Sequence, residues 1–268
     1  MNRSLAVLYG GVCYTAFLCI FIYAIAFVAG VGVPKHIDNG ALTPWSTALA
    51  IDIALLGLFA VQHSGMARPA FKRWWTRLIP PAIERSTFVL ISSLVLALLF
   101  WLWRPLPQLV WHVDTSLARG CLWGISLFGW LLVLTSSFTI NHFELFGLRQ
   151  VWLHARGRAA KDEPFVIRAM YRIVRHPLML GFLIAFWVTP EMSLGHLLFA
   201  FVVTGYIFIA VRFREERDLV AMHGEAYRDY QRRVPMLLPW RRPAGVRLAR
   251  SCAAIGTPQG PEAGSQVR

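Results

Sequence analysis

Six apolar runs dominate the chain, and their lengths decide what it can fold into. They are Leu5 to Val33, Leu42 to Gln62, Thr87 to Trp103, Gly120 to Ile140, Leu178 to Thr189 and Leu194 to Val211. Most come close to the roughly 20 residues that carry a helix across a bilayer core. In hydrocarbon every backbone N–H and C=O needs a partner within the chain, so such runs predict helices. Hydrophobic residues make up 56% and charged residues 15% of the sequence, against about 25% charged in a soluble domain. The expected fold is therefore an all-α integral membrane protein with about six membrane helices. Leu178 to Thr189 is short for a crossing. Joined by Pro190-Glu191-Met192-Ser193 to the run that follows, it predicts a hairpin that is tilted or only partly transmembrane.

A net charge of +13 invites a nucleic-acid reading, and the placement of the charges removes it. Twenty-four of the 27 Lys and Arg residues fall before the first run, between runs two and three, between four and five, or after six. Only Lys35, Arg104 and Arg119 fall in the alternate loops. The positive-inside bias then puts both termini and these loops in the cytoplasm, in keeping with an even number of crossings. Anionic lipid headgroups account for the remaining basic excess. Membrane lipids are thus expected partners, and nucleic acid is not; no obligate protein partner is evident.

Cys13, Cys19, Cys121 and Cys252 have neither metal-ligand spacing nor the density of a disulfide scaffold, so no metal is expected. The first apolar run is too long for a cleavable leader and is expected to stay as an anchor. Residues 241–268, rich in Gly, Pro, Ala and Ser, read as a disordered tail. The membrane domain is expected over 1–240, with its cofactor-binding part at about 171–239. Neither a Gly-rich phosphate loop nor a dinucleotide fingerprint is present.

Ionisable residues near a membrane are costly and usually functional, and here they gather on one face. Gln62-His63-Ser64 closes run two. Asn141 to Gln150 is expected to continue the helix of run four out of the membrane, with His142 and Glu144 near the interface. Arg175-His176-Pro177 opens the hairpin, and Glu215 and Glu216 follow it. Taken singly, each has a plain structural explanation: Gln-His-Ser can satisfy orphan helix-end carbonyls, Pro is favoured at a first helical position, and tyrosines populate membrane interfaces.

Taken together, they carry a resemblance. Arg175-His176-Pro177, then about 35 residues on Glu215-Glu216-x-x-Leu219, Gly224, Tyr227, Tyr230, Val234-Pro235 and Pro239, resemble the isoprenylcysteine carboxyl methyltransferase superfamily. Met179 and His223 depart from its pattern. Gln62-His63-Ser64, Met66 to Pro69, Glu84 to Thr87 and Asn141 to Gln150 are similar to its nurim-related branch, and most of all to the bacterial methanethiol S-methyltransferases. That resemblance implies S-adenosylmethionine as cofactor, a small volatile thiol as substrate, dimethyl sulfide as product and the bacterial inner membrane as location.

It also implies a site. A zwitterionic nucleoside sulfonium needs an apolar slot, a carboxylate and a cation. Leu178, Leu180 and Tyr227 can give the first, Glu215 or Glu216 the second, and Arg175 or Arg214 the third. His176, Pro177, Gly181 and Tyr230 complete the cofactor-binding set, with the start of the hairpin helix orienting the ligand. A thiol is a weak nucleophile until ionised, so a base is useful. His142 and His63 are its candidates. Glu144 stands two residues from His142, on another helix face, and is expected to pair with Arg149 or Arg68. Competing readings are methylation of another thiol, of hydrogen sulfide or of a lipid or prenyl-cysteine carboxylate, and a non-catalytic membrane scaffold.

Overall fold

The computed structural model describes residues 2–158 and 166–240; the expected tail lies outside them. Five helices are long and apolar enough to cross a membrane. They are α1 (Arg3–Ala29), α2 (Trp45–Met66), α4 (Pro81–Leu102), α5 (Ser116–Ile140), and a rod formed by α9 (Leu194–Ala210), a π-helical turn (Val211–Glu215) and α10 (Glu216–Arg233), kinked at Gly224. The fifth apolar run forms α8 (Pro177–Trp187), only 11 residues long. At 1.5 Å per residue that is about 16 Å, half the thickness of a bilayer core. Short helices α3 (Pro69–Trp75), α6 (His142–Leu145) and α7 (Leu148–Ala155) lie between the spans.

Three loops are laced together at the end of the bundle that is poor in basic residues. Strand β1 (Leu109–His112), between α4 and α5, pairs antiparallel with β2 (Glu191–Ser193), between α8 and α9. The Ser193 hydroxyl bonds Asp38 in the α1–α2 loop, and Lys35 Nζ donates to the Trp103 carbonyl at 2.7 Å. The α8–α9 turn thus reaches the same end as the other two loops. Short as α8 is, it forms a hairpin with α9 whose turn lies at that end.

The core is shared by all the long helices. Phe27, Leu55, Leu99, Phe100, Trp103, Trp130, Phe186 and Phe199 form one buried cluster across α1, α2, α4, α5, α8 and α9. Leu8, Ile22, Val61, Trp101, Leu117 and Phe201 face outward and are exposed, as a lipid-facing surface requires. The closest helix contact is between α5 and α8. A Cβ on Gly129 would stand 2.7 Å from the Ala185 nitrogen, and one on Gly181 would stand 2.7 Å from the Gly129 oxygen. Small residues let backbones touch where apolar burial alone cannot drive association. The position of Gly181 is accounted for by this contact.

One expectation is corrected. The helix of run four does not continue through His142 to Gln150. It stops at Ile140, where Asn141 adopts an extended conformation (φ 169°, ψ 84°). The Asn141 side chain accepts from the Glu144 amide at 3.3 Å and donates to the Glu144 carboxylate at 2.9 Å, starting α6 as a separate turn. Arg85 Nε holds that turn to α4 through the Leu145 carbonyl at 2.8 Å. Gly147 (φ 88°) then lets the chain lie flat on Ser86, where a Cβ would meet the Ser86 nitrogen at 2.7 Å.

The backbone contact between α5 and α8 leads to a direct expectation. Gly181→Val forces the two helices apart, at a cost of about 1–3 kcal/mol. The detergent-solubilised variant should unfold at a lower temperature than the parent, and an unchanged midpoint would refute the contact.

Candidate active site

Arg175 and His176 stand just before Pro177, which occupies the first turn of α8. Their backbone is held by the chain's far end: Arg175 N donates to the Pro235 carbonyl at 2.9 Å, and His176 N to the Met236 carbonyl at 3.1 Å. Their side chains converge on Glu216. Arg175 Nε bonds Glu216 Oε1 at 2.7 Å, His176 Nε2 lies 3.1 Å from the same oxygen, and Tyr227 donates to it at 3.4 Å. Gln231 Nε2 supplies Oε2 at 2.8 Å. The Arg175 and Glu216 side chains are only 9% and 5% exposed. Arg175 Nη1 also donates to the carbonyls of Gln231 and Val234.

His176 carries a charge here. Burial works against its protonation, but hydrogen bonds and attraction from Glu215 and Glu216 outweigh burial and lift its pKa to about 9. Its Nδ1 lies 3.4 Å from Glu215, whose side chain is 44% exposed and so faces outward. The cluster alternates sign, with the inner carboxylate saturated by donors and the outer one reachable.

Local structure explains how the chain reaches this geometry. The π-helical turn Val211–Glu215 brings Glu215 and Glu216 round toward α8; such turns are frequent at functional sites. Gly224 then breaks α10 with φ 57°, ψ −132°, a combination essentially confined to glycine. Beyond it Tyr227 and Tyr230 fold back and pack with Val234, and the Tyr230 hydroxyl donates to the Tyr171 carbonyl at 2.5 Å. Leu178 and Leu180 are half-buried, while Pro177 and Gly181 are buried. Arg214 is not brought to this cluster. It lies on the other side of the rod, in a cavity with Ser64 and Arg68 of the α2 end.

The candidate bases are both held by hydroxyls. His142 is 4% exposed, with Nδ1 2.9 Å from Ser137 Oγ and Nε2 2.8 Å from the Tyr14 hydroxyl. Ser137 donates its one proton to the Leu134 carbonyl at 2.7 Å, so it accepts from His142 Nδ1–H. The network therefore assigns the proton to Nδ1 and leaves Nε2 to accept from Tyr14. Burial holds the His142 pKa below the ordinary histidine value, and the ring is neutral. Phe138 stacks on it at 4.1 Å between centroids.

His63 Nδ1 lies 3.3 Å from Ser92 Oγ, between Phe59 and Phe88. Both histidines border one aromatic cluster, since Phe88 and Phe146 belong to the same packed group. Glu144 pairs with Arg149 at 2.5 Å. Tyr14 was not singled out in the sequence, because one tyrosine in an apolar run looks like any other. The two halves of the site adjoin at the last turns of α5. There Ser136 Oγ lies 3.9 Å from Met170 Sδ, on the short 3-10 turn Ala169–Arg172 that leads to Arg175, while Ser137 holds His142. Among the described residues, no group of three or more His, Cys, Asp or Glu side chains is placed to bind a metal ion.

What the fold and this site define is a multi-pass helical membrane protein with a charged cluster closed over the start of its last hairpin. Comparison with curated proteins then narrows the class. The chain is 54% identical over 240 residues to a methanethiol S-methyltransferase of Mycobacterium tuberculosis, covering 90% of this chain and 98% of that protein. It is 52% identical to methanethiol S-methyltransferase 2 of Bradyrhizobium diazoefficiens, over 88% of this chain and 91% of the relative. Human nurim is more distant, 31% identical over 71% of this chain and 74% of nurim. The chain belongs to the methanethiol S-methyltransferase family, with nurim as a more distant relative. No protein-family model matches it, and no solved structure does.

The pH dependence of stability follows from His176. Its pKa is raised above the unfolded value of about 6.5, so its stabilisation is complete below that value and is lost as pH rises through about 9. The melting midpoint of the purified protein should fall across this window. In His176→Gln it should start lower and show less of that fall. Equal slopes in both proteins would exclude His176 as the titrating group.

Proposed function

We propose that this protein methylates methanethiol to dimethyl sulfide with S-adenosylmethionine as donor, at the cytoplasmic face of a bacterial inner membrane. The observation that carries the reading is the near full-length identity to methanethiol S-methyltransferases, joined to a site of the right chemistry.

The residues fit the donor. Glu215 offers a reachable carboxylate beside the protonated His176, and the half-buried Leu178 and Leu180 offer apolar surface next to it. Arg175, Glu216, Tyr227 and Gln231 satisfy one another. Their role is to fix the wall against which the ligand is held, and Tyr230 anchors that wall to Tyr171. When bound, S-adenosylmethionine supplies a methyl group on a positively charged sulfur. Such an in-line transfer neutralises charge, so holding and aiming the two sulfurs does most of the work.

On the acceptor side, a thiol must lose its proton as its sulfur forms the new C–S bond and the donor's C–S bond breaks. His142 Nε2 is the proton's destination. Tyr14 passes its hydroxyl proton to Nε2 and takes the thiol proton in exchange, leaving the imidazole protonated on both nitrogens. His63, tied to Ser92, keeps a positioning role on the same aromatic cluster.

Cells expressing the chain and fed methanethiol should release dimethyl sulfide into the headspace, and purified protein should do so only with S-adenosylmethionine. No product from folded protein supplied with both would reject the reaction. His142→Gln should slow turnover most at low pH and less as pH rises, when bulk hydroxide supplies thiolate; base assistance is typically worth about 100- to 10,000-fold. A small, pH-independent loss would reduce His142 to a structural residue.

The basic loops give the orientation. In a chain cleared of its own cysteines, Val31→Cys should react with an impermeant thiol reagent in intact cells and Arg77→Cys should not. The opposite pattern would invert the topology and move the site out of the cytoplasm.

A further inference from the structure

Away from the Arg175–Glu216 cluster, the end of α2 and the end of α9 enclose an open cavity of about 440 Å³. Ser64 lines it from α2 and Arg68 from the start of α3, Tyr206, Ile209 and Arg214 line it from the rod, and Val61 joins them on the outer side. The Ser64 and Tyr206 hydroxyls are hydrogen-bonded at 3.0 Å. Arg214 Nη1 is buried and has no hydrogen-bond partner. Among the described residues neither Arg68 nor Arg214 enters an ion pair. A buried N–H without an acceptor is costly, and a guanidinium is a bidentate partner for phosphate. Two such groups beside two hydroxyls make a receptor for an oxyanion.

The apolar part of the lining says which kind. Val61 is 73% and Ile209 55% exposed, and both lie one to two helical turns from the cations, toward the membrane interior. A free phosphate would leave this surface unused. We propose that the cavity binds an anionic phospholipid, with its headgroup phosphate between Arg68 and Arg214 and its acyl chains along Val61 and Ile209. The donor's carboxylate is the weaker candidate, because Arg214 and Glu216 are two residues apart on the rod and face different neighbours. The proposal rests on the membrane reading of the bundle and is independent of the methyl-transfer reading.

The test is native mass spectrometry of the detergent-purified full-length protein, incubated with equal amounts of phosphatidylglycerol and phosphatidylcholine. Each cation near an anionic headgroup is worth roughly fivefold in affinity, so the pair should favour phosphatidylglycerol by about thirtyfold. Arg68→Gln with Arg214→Gln should abolish the preference. Arg68→Glu alone, at an exposed position that does not bear on folding, should also reduce it by at least fivefold. Sodium phosphate at millimolar concentration should not displace the lipid. Equal retention of both lipids by the parent protein would overturn the proposal, as would a preference that survives both variants. Displacement by phosphate would assign the site to the free ion, and loss of S-adenosylmethionine binding in folded Arg68→Glu would assign it to the cofactor; either result overturns the lipid. Dimethyl sulfide release is measured separately, so failure of the lipid site leaves the proposed reaction standing.

Discussion

The buried carboxylate of Glu216 is the interaction on which the rest of the site depends. A charge taken out of water is tolerated only when partners replace the lost hydration, and removing one partner of a buried pair costs about 3–5 kcal/mol. Glu216 receives Arg175 and His176 from the start of α8, and Tyr227 and Gln231 from the far part of α10. It is therefore a joint between the start of α8, about 40 residues away in sequence, and the two parts of α10 on either side of Gly224. Arg175 extends the joint by donating to carbonyls of Gln231 and Val234, so closure of the C-terminal segment and charge balance at Glu216 are the same event. The cluster is built first to define a shape. In the proposed reaction, ligand contacts fall to the groups around it that retain exposed surface, Glu215 first among them.

Much of this architecture was legible because hydrocarbon enforces a simple code. Apolar runs gave the long helices, and the shortness of Leu178 to Thr189 foretold the reduced α8. Helix ends were less legible: α4 starts at Pro81 and α5 at Ser116, each ahead of its apolar run, because polar residues fit a helix's first turn as well as apolar ones do. The break at Asn141 was hidden because its cause is a side chain bonding the amide and the carboxylate of Glu144, which no periodicity records. In the site, the grouping of Arg175, His176 and Glu216 was visible as a spaced motif. The partnership of Tyr14 with His142 was not, since it joins positions 128 residues apart through one hydroxyl. Gly181 was noticed as part of the motif, but its contact with Gly129 required knowing that α5 lies against α8.

The two histidines and the charged cluster are joined through the C-terminal turns of α5. Ser136 lies against the turn that leads to Arg175, and Ser137 fixes the tautomer of His142. Adjacent hydroxyls on one helix therefore serve the two halves. The helix itself is pinned to α8 by backbone contact, with no side chain between to take up movement. Close packing of this kind transmits displacement with little loss. The charged cluster and the two histidines then keep a fixed separation, which the proposed alignment of two sulfurs requires.

The π-helical turn at Val211–Glu215 also restricts how this chain can vary in length. On one side of it α9 is committed to the core through Phe199 and Ile207 and to the opposite end of the bundle through β2. On the other side Glu216 is committed to Arg175 and His176. Each residue of a helix advances the phase by about 100°. The π turn holds one residue more than a regular α-helix would need to cover the same rise, and that residue sets the angle between the two commitments. A one-residue insertion or deletion between Ile207 and Glu216 would leave composition, hydropathy and every motif residue intact, yet swing the carboxylate out of reach. Substitutions in this stretch can be absorbed locally; changes in its length cannot.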